Sequence, residues 1–366
     1  MKHTQLLIIL GVVILAHLLF ILAIKPARRK TPHHPAPTET RVENSGEANP
    51  EARPSEQPGT ASQQGTQQAA AQSGTGNAPE PAGNVFAIRP FAPGYFKTET
   101  KQIPQHIASL VGNCRGGIAV NLSTRTIVWS KNPDTPLPIA SITKMMTVLL
   151  TIEKMRLSKG AITLETPIRV TANAARIGAR QAWIDPRETF TLDEMLKATM
   201  IHSANDCAYL LAEFTSGSEP AFVSLMNERA QQLGCRSFTF INSHGLPDNG
   251  REDMASPREL AYLADVLLDI PEITKWSHLR QGTLRENDEA YVKRNKGPFM
   301  LSSSNSLLGK CEGVNGMKTG YTKKAGFSIV ATCERNGVRT VVVTLGCDTK
   351  KNRDNLTAAL INWLYQ

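Results

Sequence analysis

The apolar and polar positions divide this chain of 366 residues into three regions. Residues 6–24 form one apolar run that is broken only by His17. Residues 25–84 contain a single Ile, Leu, Val, Met or aromatic residue, Val42. From residue 85 onward, apolar residues recur with the periods of strands and helices. The pattern predicts a folded domain over 85–366, preceded by segments of a different kind.

Strand patterns stand near both ends of this domain. The segment GGIAVNLSTRTIVWS, residues 116–130, has two β-branched runs around a polar turn and predicts a hairpin. A second pair of β-branched runs flanks Asn336-Gly337, the strongest short hairpin signal. A helix over about 351–365 is predicted to follow.

Helical patterns fill the middle of the domain. Residues 191–214 predict two helices joined near His202 and Ser203, and residues 219–234 and 256–269 predict further amphipathic helices. The order of the elements predicts an α/β fold of the α+β type. An antiparallel sheet built from both chain ends is covered by helices, with an all-helical region in the middle.

The first 84 residues are predicted to contain a membrane anchor and a flexible linker. The nineteen residues of this run at a helical rise cover about 28 Å, close to the hydrocarbon thickness of a bilayer, and the flank AIKPARRK has no A-x-A cleavage site. We expect a cytoplasmic N-terminus at 1–5 and a transmembrane anchor or uncleaved signal at 6–24, with a cleaved signal peptide as the alternative. Residues 25–84 cannot bury enough apolar surface to fold, and as a flexible linker they span roughly 40 Å.

The net charge and the cysteine pattern exclude few partners and few patterns of disulfide bonding. The chain carries a formal charge of +9, and nucleic acid, anionic lipid or an anionic polymer could meet a basic surface. No nucleic-acid motif is present, so no nucleic-acid partner is expected. The six cysteines form no CxxC, and they suit three disulfides or free buried thiols equally. No His/Glu cluster has metal-ligand spacing, so we expect neither metal nor cofactor.

Candidate chemistry begins in LPIASITKMMTVLL, residues 137–150. Ser141 and Lys144 are three residues apart, so they are neighbours on one face of a helix that is otherwise nearly all apolar. In one interpretation Ser141 caps the helix and Lys144 extends its charge to water. In the other, Ser141 is a nucleophile and Lys144 is its base, because a buried ammonium favours loss of its proton.

Two tripeptides support the second interpretation. Ser203-Ala204-Asn205 lies at the predicted junction of two helices, and Lys318-Thr319-Gly320 lies just before the terminal hairpin, at a predicted sheet edge. Ser303-Ser304-Asn305 is a competing S-x-N triplet. We prefer Ser203 because side chains at a helix junction can point into a cleft.

The order S-x-x-K, S-x-N, K-T-G resembles the signature of penicillin-binding proteins and serine β-lactamases. Together with IASITKMMT, MIHSANDCAYLLAE, FINSHGLPDNG and GVNGMKTGYTKKAGFSIVATC, the chain looks like the D-alanyl-D-alanine carboxypeptidase family of low-molecular-mass penicillin-binding proteins. The resemblance runs in register from about residue 100 to the end. It implies a fold like that of the serine β-lactamases and penicillin-binding proteins.

The resemblance also implies roles for the motif residues. Ser141 is the nucleophile, Lys144 its base, and Ser203 relays a proton to the leaving amine. Lys318 and burial are both expected to lower the pKa of Lys144. The backbone N–H groups of Ser141 and Tyr321 form the oxyanion hole, and His244 is structural. Substrate-binding residues are expected to be Asn205, Lys318, Thr319, Gly320 and Tyr321.

The expected partners are peptidoglycan stem peptides and, as covalent inhibitors, β-lactam antibiotics. The leading hypothesis is a carboxypeptidase that removes the terminal D-alanine. A DD-endopeptidase with the same site, a penicillin-recognising sensor and a β-lactamase are the alternatives. Positive residues follow the apolar run, which favours a cytoplasmic domain. The motifs instead imply a single-pass protein in the cell membrane with its catalytic domain extracytoplasmic, on the periplasmic side, and we give them more weight.

Overall fold

The computed structural model describes residues 86, 88–295 and 297–366. The predicted anchor at 6–24 and linker at 25–84 lie outside these residues. Among the residues that are described, no helix is both long and apolar enough to span a bilayer.

Twelve strands are present in the described residues. Their bounds are β1 Lys97–Thr98, β2 Gly116–Asn121, β3 Thr126–Lys131, β4 Leu137–Pro138, β5 Pro167–Arg169, β6 Thr189–Thr191, β7 Met254–Ala255, β8 Gln281–Leu284, β9 Phe299–Ser302, β10 Val314–Thr322, β11 Gly326–Arg335 and β12 Val338–Cys347.

The helices lie mainly between the two groups of long strands. They are α1 Gln105–Val111, α2 Lys144–Leu157, α3 Ala172–Ala175, α4 Leu192–Lys197, α5 Asn205–Ser216, α6 Glu219–Gln232, α7 Pro257–Leu268, α8 Pro271–Ser277, α9 Glu289–Asn295 and α10 Lys350–Leu364. A 3₁₀ turn, Ala140–Thr143, precedes α2, and a π-helical segment, Ala198–His202, follows α4.

The main sheet joins both ends of the described domain, as predicted. Its order is β1-β3-β2-β12-β11-β10, so the C-terminal strand β12 pairs with the early strand β2. The pairings are antiparallel except that of the short strand β1, which runs parallel to β3. The predicted antiparallel arrangement is therefore confirmed for the long strands, with one short parallel pairing at this edge. Strand β10 forms the opposite edge.

Alternate residues of the central strands enter two different cores. Val341 and Val343 of β12 face the large core shared with α2, α5 and α7, whereas Val342 faces a second core beneath α10. Both faces of the sheet are thus covered by helices, which explains why these strands are continuous apolar runs.

Local sequence signals account for several helix starts. Thr191 and Glu194 form a capping box at the start of α4. Ser218 and Ser256 cap α6 and α7, and each is followed by a proline in the first turn.

Neither of the two hypotheses for the six cysteines holds for all of them. Cys114, two residues before β2, and Cys347, the last residue of β12, form a disulfide. The other four are free and buried, and they are Cys207, Cys235, Cys311 and Cys333.

Candidate active site

Ser141 lies in a tightly held turn. Its neighbour Ala140 adopts a left-handed conformation, with φ of +48°, an arrangement that L-residues adopt only when the surrounding structure imposes it. Asp253 holds both sides of the turn: its backbone oxygen accepts the N–H of Ile139 at 3.0 Å, and its carboxylate accepts the Thr143 hydroxyl at 2.5 Å. Ser141 itself is only half-buried, so a substrate can reach it.

Lys144 is wholly buried, with an exposed fraction of 0%. Its ammonium nitrogen lies 3.1 Å from Ser141 Oγ, 2.7 Å from Asn205 Oδ1 and 2.5 Å from the backbone oxygen of His244. The interpretation in which Lys144 extends its charge to water is therefore wrong. Ser141 is not the cap of α2 either, because Thr143 occupies that position without a side-chain capping bond.

Burial sets the protonation of Lys144. Loss of hydration lowers the pKa of this ammonium to about 7, although the nearby carboxylates of Asp253 and Asp206 act to raise it. The pKa of Lys318 is also lowered, mainly by burial and then by repulsion from the charge of Lys144. A substantial fraction of Lys144 is thus neutral near pH 7 and can accept a proton.

The S-x-N triplet places one polar side chain against each lysine. Ser203 ends the π-helical segment in a left-handed conformation, with φ of +62°, and its hydroxyl oxygen accepts a hydrogen bond from Lys318 at 2.7 Å. Asn205 begins α5, binds Lys144 through Oδ1, and donates through Nδ2 to the backbone oxygen of Gly178 at 2.9 Å. The predicted junction near His202 and Ser203 is confirmed.

The K-T-G triplet lies on the edge strand β10, as predicted. Lys318 is 2% exposed and donates to Ser203 Oγ and to its neighbour's backbone oxygen. Gly320 passes so close to the Ser141 turn that a Cβ atom there would lie 2.3 Å from the backbone oxygen of Ile139. A side chain at this position would push the strand away from the nucleophile.

Comparison with known proteins identifies the family to which this chain belongs. The model of the Peptidase S11 family, described as D-alanyl-D-alanine carboxypeptidase, matches residues 107–349, which contain all three motifs. The chain belongs to the D-alanyl-D-alanine carboxypeptidase family. It is a serine-type hydrolase of that class.

Curated relatives and solved structures agree with this assignment. The chain is 33% identical to D-alanyl-D-alanine carboxypeptidase DacF of Bacillus subtilis over 75% of this chain and 67% of that protein. It is 28% identical to DacA of Escherichia coli over 67% of this chain and 59% of that protein. The structure is similar to ampicillin-bound penicillin-binding protein D2 of Listeria monocytogenes, with a TM-score of 0.60 and 26% identity over 69% of this chain and 98% of that one. The predicted penicillin-binding-protein fold is confirmed.

The competing triplet has a different environment from the family motif. Asn305 donates through its amide to the backbone oxygen of Gly316 at 3.0 Å and makes no bond to Lys144. Ser304 shares a hydrogen bond with the Thr319 hydroxyl. The structure therefore brings Asn205, and not Asn305, to the lysine of the S-x-x-K motif.

Tyr321 lies on the outer side of the edge strand. Its ring is 57% exposed and stacks on Phe327 with 4.3 Å between the ring centroids. The oxyanion hole formed by the N–H groups of Ser141 and Tyr321 stays a prediction.

The two histidines near the site are not free bases. Burial lowers the pKa of His244 to about 3, and its ring stacks on Tyr209. Burial and the charge of Arg180 lower the pKa of His202 to about 4. Both rings are neutral at physiological pH, which agrees with a structural role for His244. Across the described part of the chain, no cluster of His, Cys, Asp or Glu could hold a metal ion.

Sequence reasoning missed Asp253 and Arg180. Asp253 is remote from every motif in sequence, and only folding brings it beneath the Ser141 turn. Arg180 precedes Ser203 by 23 residues, yet its guanidinium donates to the backbone oxygen of His202. No local pattern distinguishes either residue from an ordinary surface charge.

Proposed function

We propose that this chain removes the terminal D-alanine from peptidoglycan stem peptides through an acyl-enzyme on Ser141. The observation that carries the proposal is the 3.1 Å contact between Ser141 Oγ and the Lys144 nitrogen, in a site where burial lowers the pKa of that lysine to about 7. The family membership supplies the substrate class.

Acylation begins when Ser141 Oγ attacks the carbonyl carbon of the penultimate D-alanine. Neutral Lys144 accepts the hydroxyl proton as the bond forms. The Ser203 hydroxyl, held by Lys318 at 2.7 Å, donates a proton to the nitrogen of the departing D-alanine. The proton that Lys144 took from Ser141 is returned to the Ser203 oxygen, so Lys144 is neutral again before the next step. Water then attacks the ester, with Lys144 as the base, and releases the shortened peptide and Ser141.

Substrate binding is assigned to the edge of the sheet and to the helical side of the cleft. Lys318 and the Thr319 hydroxyl suit the terminal carboxylate, and Gly320 permits the close approach of backbone. Asn205 orients Lys144, and its remaining amide hydrogen suits a peptide carbonyl. The exposed Tyr321 lies at the border of this surface.

β-Lactam antibiotics are the expected covalent inhibitors. A β-lactam carries a strained amide and a carboxylate, so it can take the place of the terminal dipeptide. The similarity to penicillin-binding protein D2, a structure with bound ampicillin, supports this expectation.

A second candidate function is DD-endopeptidase activity on cross-links. A D-alanyl-D-alanine endopeptidase of Pseudomonas aeruginosa is 27% identical over 62% of this chain. Both activities cleave after a D-alanine, so the same residues serve either one.

Product analysis separates the candidates. The protein is incubated with a stem pentapeptide and, separately, with a cross-linked peptide dimer, and the products are separated by chromatography. Release of free D-alanine supports the carboxypeptidase, whereas monomers from the dimer support the endopeptidase. Ser141→Ala abolishes either activity and Ser303→Ala retains it; D-alanine release by Ser141→Ala would contradict the proposal.

We also propose that residues 6–24 anchor the protein in the cell membrane and that the linker holds the domain on the extracytoplasmic side. The length of the apolar run and the location of peptidoglycan support this. A reporter fused at residue 90, active only outside the cytoplasm, tests it. A cytoplasmic result would contradict a role in the cell wall.

A further inference from the structure

Arg180 presents a fixed guanidinium beside the active site. Its backbone oxygen accepts the N–H of Asn205 at 2.8 Å, so the residue is attached directly to the S-x-N motif. The side chain donates through Nε to the backbone oxygen of His202, and through Nη2 to the backbone oxygen of Ser302 at 2.6 Å. Two carbonyl groups from different elements therefore hold the guanidinium in place.

The positive charge of Arg180 has no counterion in the described part of the chain. No carboxylate there lies within ion-pair distance of it, and its Nη1 atom has no hydrogen-bond partner. Two nearby arginines differ: Arg187 pairs with Asp185 at 2.7 Å, and Arg285 pairs with Glu188 at 2.5 Å. Arg180 is exposed, so an anion from solution can reach it.

Lys318 is already engaged within the protein, because it is 2% exposed and its nitrogen donates to Ser203 Oγ at 2.7 Å and to the Thr319 backbone oxygen at 3.1 Å. Burial lowers the pKa of this ammonium well below its ordinary value, and the charges of Lys144 and Arg180 lower it further. An arginine keeps its proton in such surroundings, because guanidinium is effectively always charged in proteins. Arg180 therefore adds to this side of the cleft a positive charge that does not depend on the protonation of Lys318.

Hydroxyl groups that suit a carboxylate lie on the same side of the cleft. Arg180 is bonded to Ser302, and Ser304, two residues further, shares a hydrogen bond with the Thr319 hydroxyl. Arg180 and Thr319 thus border the same segment, Ser302–Ser304. A carboxylate bound there can accept hydrogen bonds from the guanidinium of Arg180 as well as from the Thr319 hydroxyl.

We propose that Arg180 is a specificity-determining residue that binds the terminal carboxylate of the peptide together with Thr319. It thereby selects substrates with a free C-terminus. This inference rests on the proposed carboxypeptidase function and adds to it the source of the charge that recognises the substrate.

The test compares two peptides that differ only in this carboxylate. One ends in D-alanyl-D-alanine with a free acid, and the other ends in the D-alanine amide. For the wild type, kcat/KM is expected to be higher for the acid. Arg180→Gln should lower kcat/KM for the acid by at least about tenfold, as for a lost hydrogen bond to a charged group, and for the amide by less than about threefold. Arg187→Gln, on an exposed arginine of the same region, is the matched control and should retain the wild-type ratio.

A merely structural role for Arg180 predicts a different result. Equal losses on acid and amide, or no loss on either, would overturn the proposal, as would a wild type that cleaves both peptides equally well. If Arg180→Gln shows no cooperative thermal transition, Arg180→Lys replaces it. Lysine keeps the charge without the planar fork, so the acid should keep a reduced advantage, and an unchanged acid-to-amide ratio would count against the proposal.

A second pair of probes separates this inference from the function on which it rests. The rate of acylation by benzylpenicillin is compared with that by its methyl ester, using the mass of the intact protein. Arg180→Gln should erase most of the preference for the free acid, and an unchanged preference would overturn the assignment. A wild type that is acylated but releases no D-alanine would contradict the carboxypeptidase function while leaving this preference measurable.

Discussion

The ammonium nitrogen of Lys318 lies 2.7 Å from the hydroxyl oxygen of Ser203, although 115 residues separate them in the chain. This contact joins the edge strand β10 to the end of the π-helical segment. On the other side of the cleft, Lys144 joins Ser141 to Asn205. Each lysine therefore binds one serine hydroxyl, which is the arrangement required to move a proton off a nucleophile and onto a leaving group.

Ser203→Ala removes the hydroxyl that Lys318 contacts. General acid–base assistance is typically a factor of 10²–10⁴, so acylation by a penicillin should fall by about a hundredfold or more. Ser303→Ala, in the competing triplet, should retain acylation within about threefold, since the Ser303 hydroxyl accepts the backbone N–H of Asn305 at 3.2 Å and no hydrogen bond of the described residues joins it to Lys144 or Lys318. The measurement is the second-order acylation rate beside a thermal melt. Equal effects of the two changes would contradict the assignment of Ser203.

Lys144→Met tests the base directly. Methionine fills a similar volume without a group that can accept the Ser141 proton, so acylation should fall at least about a hundredfold while a cooperative melt persists. Lys154→Met, on the exposed side of the same helix, is the matched control and should acylate like the wild type. Near wild-type acylation by Lys144→Met would remove Lys144 as the base.

The acylation rate should rise with pH through about 7. The pKa of Lys144 is lowered from 10.5 to about 7 by burial, and only the neutral amine can act as the base. The rate is thus small below this pKa and reaches a plateau above it. His244 and His202, with pKa values of about 3 and about 4, stay neutral across the range. Acylation rates measured between about pH 5.5 and 9 that stay flat or fall would contradict this mechanism.

Asp253→Asn should move the midpoint of this pH profile to lower pH. The Asp253 carboxylate raises the pKa of Lys144, so its neutralisation makes Lys144 a weaker base that is neutral at lower pH. Asparagine keeps an oxygen that can accept the Thr143 hydroxyl. A profile with an unchanged midpoint and a lower plateau would indicate that Asp253 only positions the turn.

Gly320→Ala should disrupt the contact between the edge strand and the Ser141 turn. The new Cβ would lie 2.3 Å from the backbone oxygen of Ile139, so strand and turn must separate, at a cost of about 1–3 kcal/mol as for other overpacked sites. We expect a lower melting temperature and slower acylation. Gly112→Ala, where nothing lies within 4 Å of the added atom, should acylate normally.

Four thiols should react with an alkylating agent after denaturation without reductant. Only Cys114 and Cys347 are paired in the structure. The mass of the intact protein counts the alkyl groups, and six should be added after reduction. Fewer than four before reduction would reveal a further disulfide.

Local physical chemistry made part of the fold predictable. Asn336 and Gly337 both adopt positive φ, of +52° and +75°, and connect the paired residues Arg335 and Val338. These two residue types tolerate that conformation, so the hairpin could be read from the dipeptide. The Ser141–Lys144 contact was also predictable, because three residues of helix or turn bring the side chains together.

Other features depend on contacts between distant segments. The left-handed Ser203 follows a π-helical segment that no helical periodicity reveals. The parallel pairing of β1 with β3 could not be predicted from strands that short. The choice between disulfides and free thiols required the distances between strands, since Cys114 and Cys347 are 233 residues apart.

Local sequence was enough to predict the long elements, the three motifs and the class of chemistry, because helix spacing, turn residues and reactive side chains act over a few positions. Folding between distant segments selects the S-x-N triplet that meets Lys144, the extent to which burial lowers the pKa of that lysine, and the place of the Arg180 guanidinium beside His202 and Ser302. Burial and charge pairing depend on which segments fold against each other, and that information is spread over the whole domain rather than held in any one stretch of the chain.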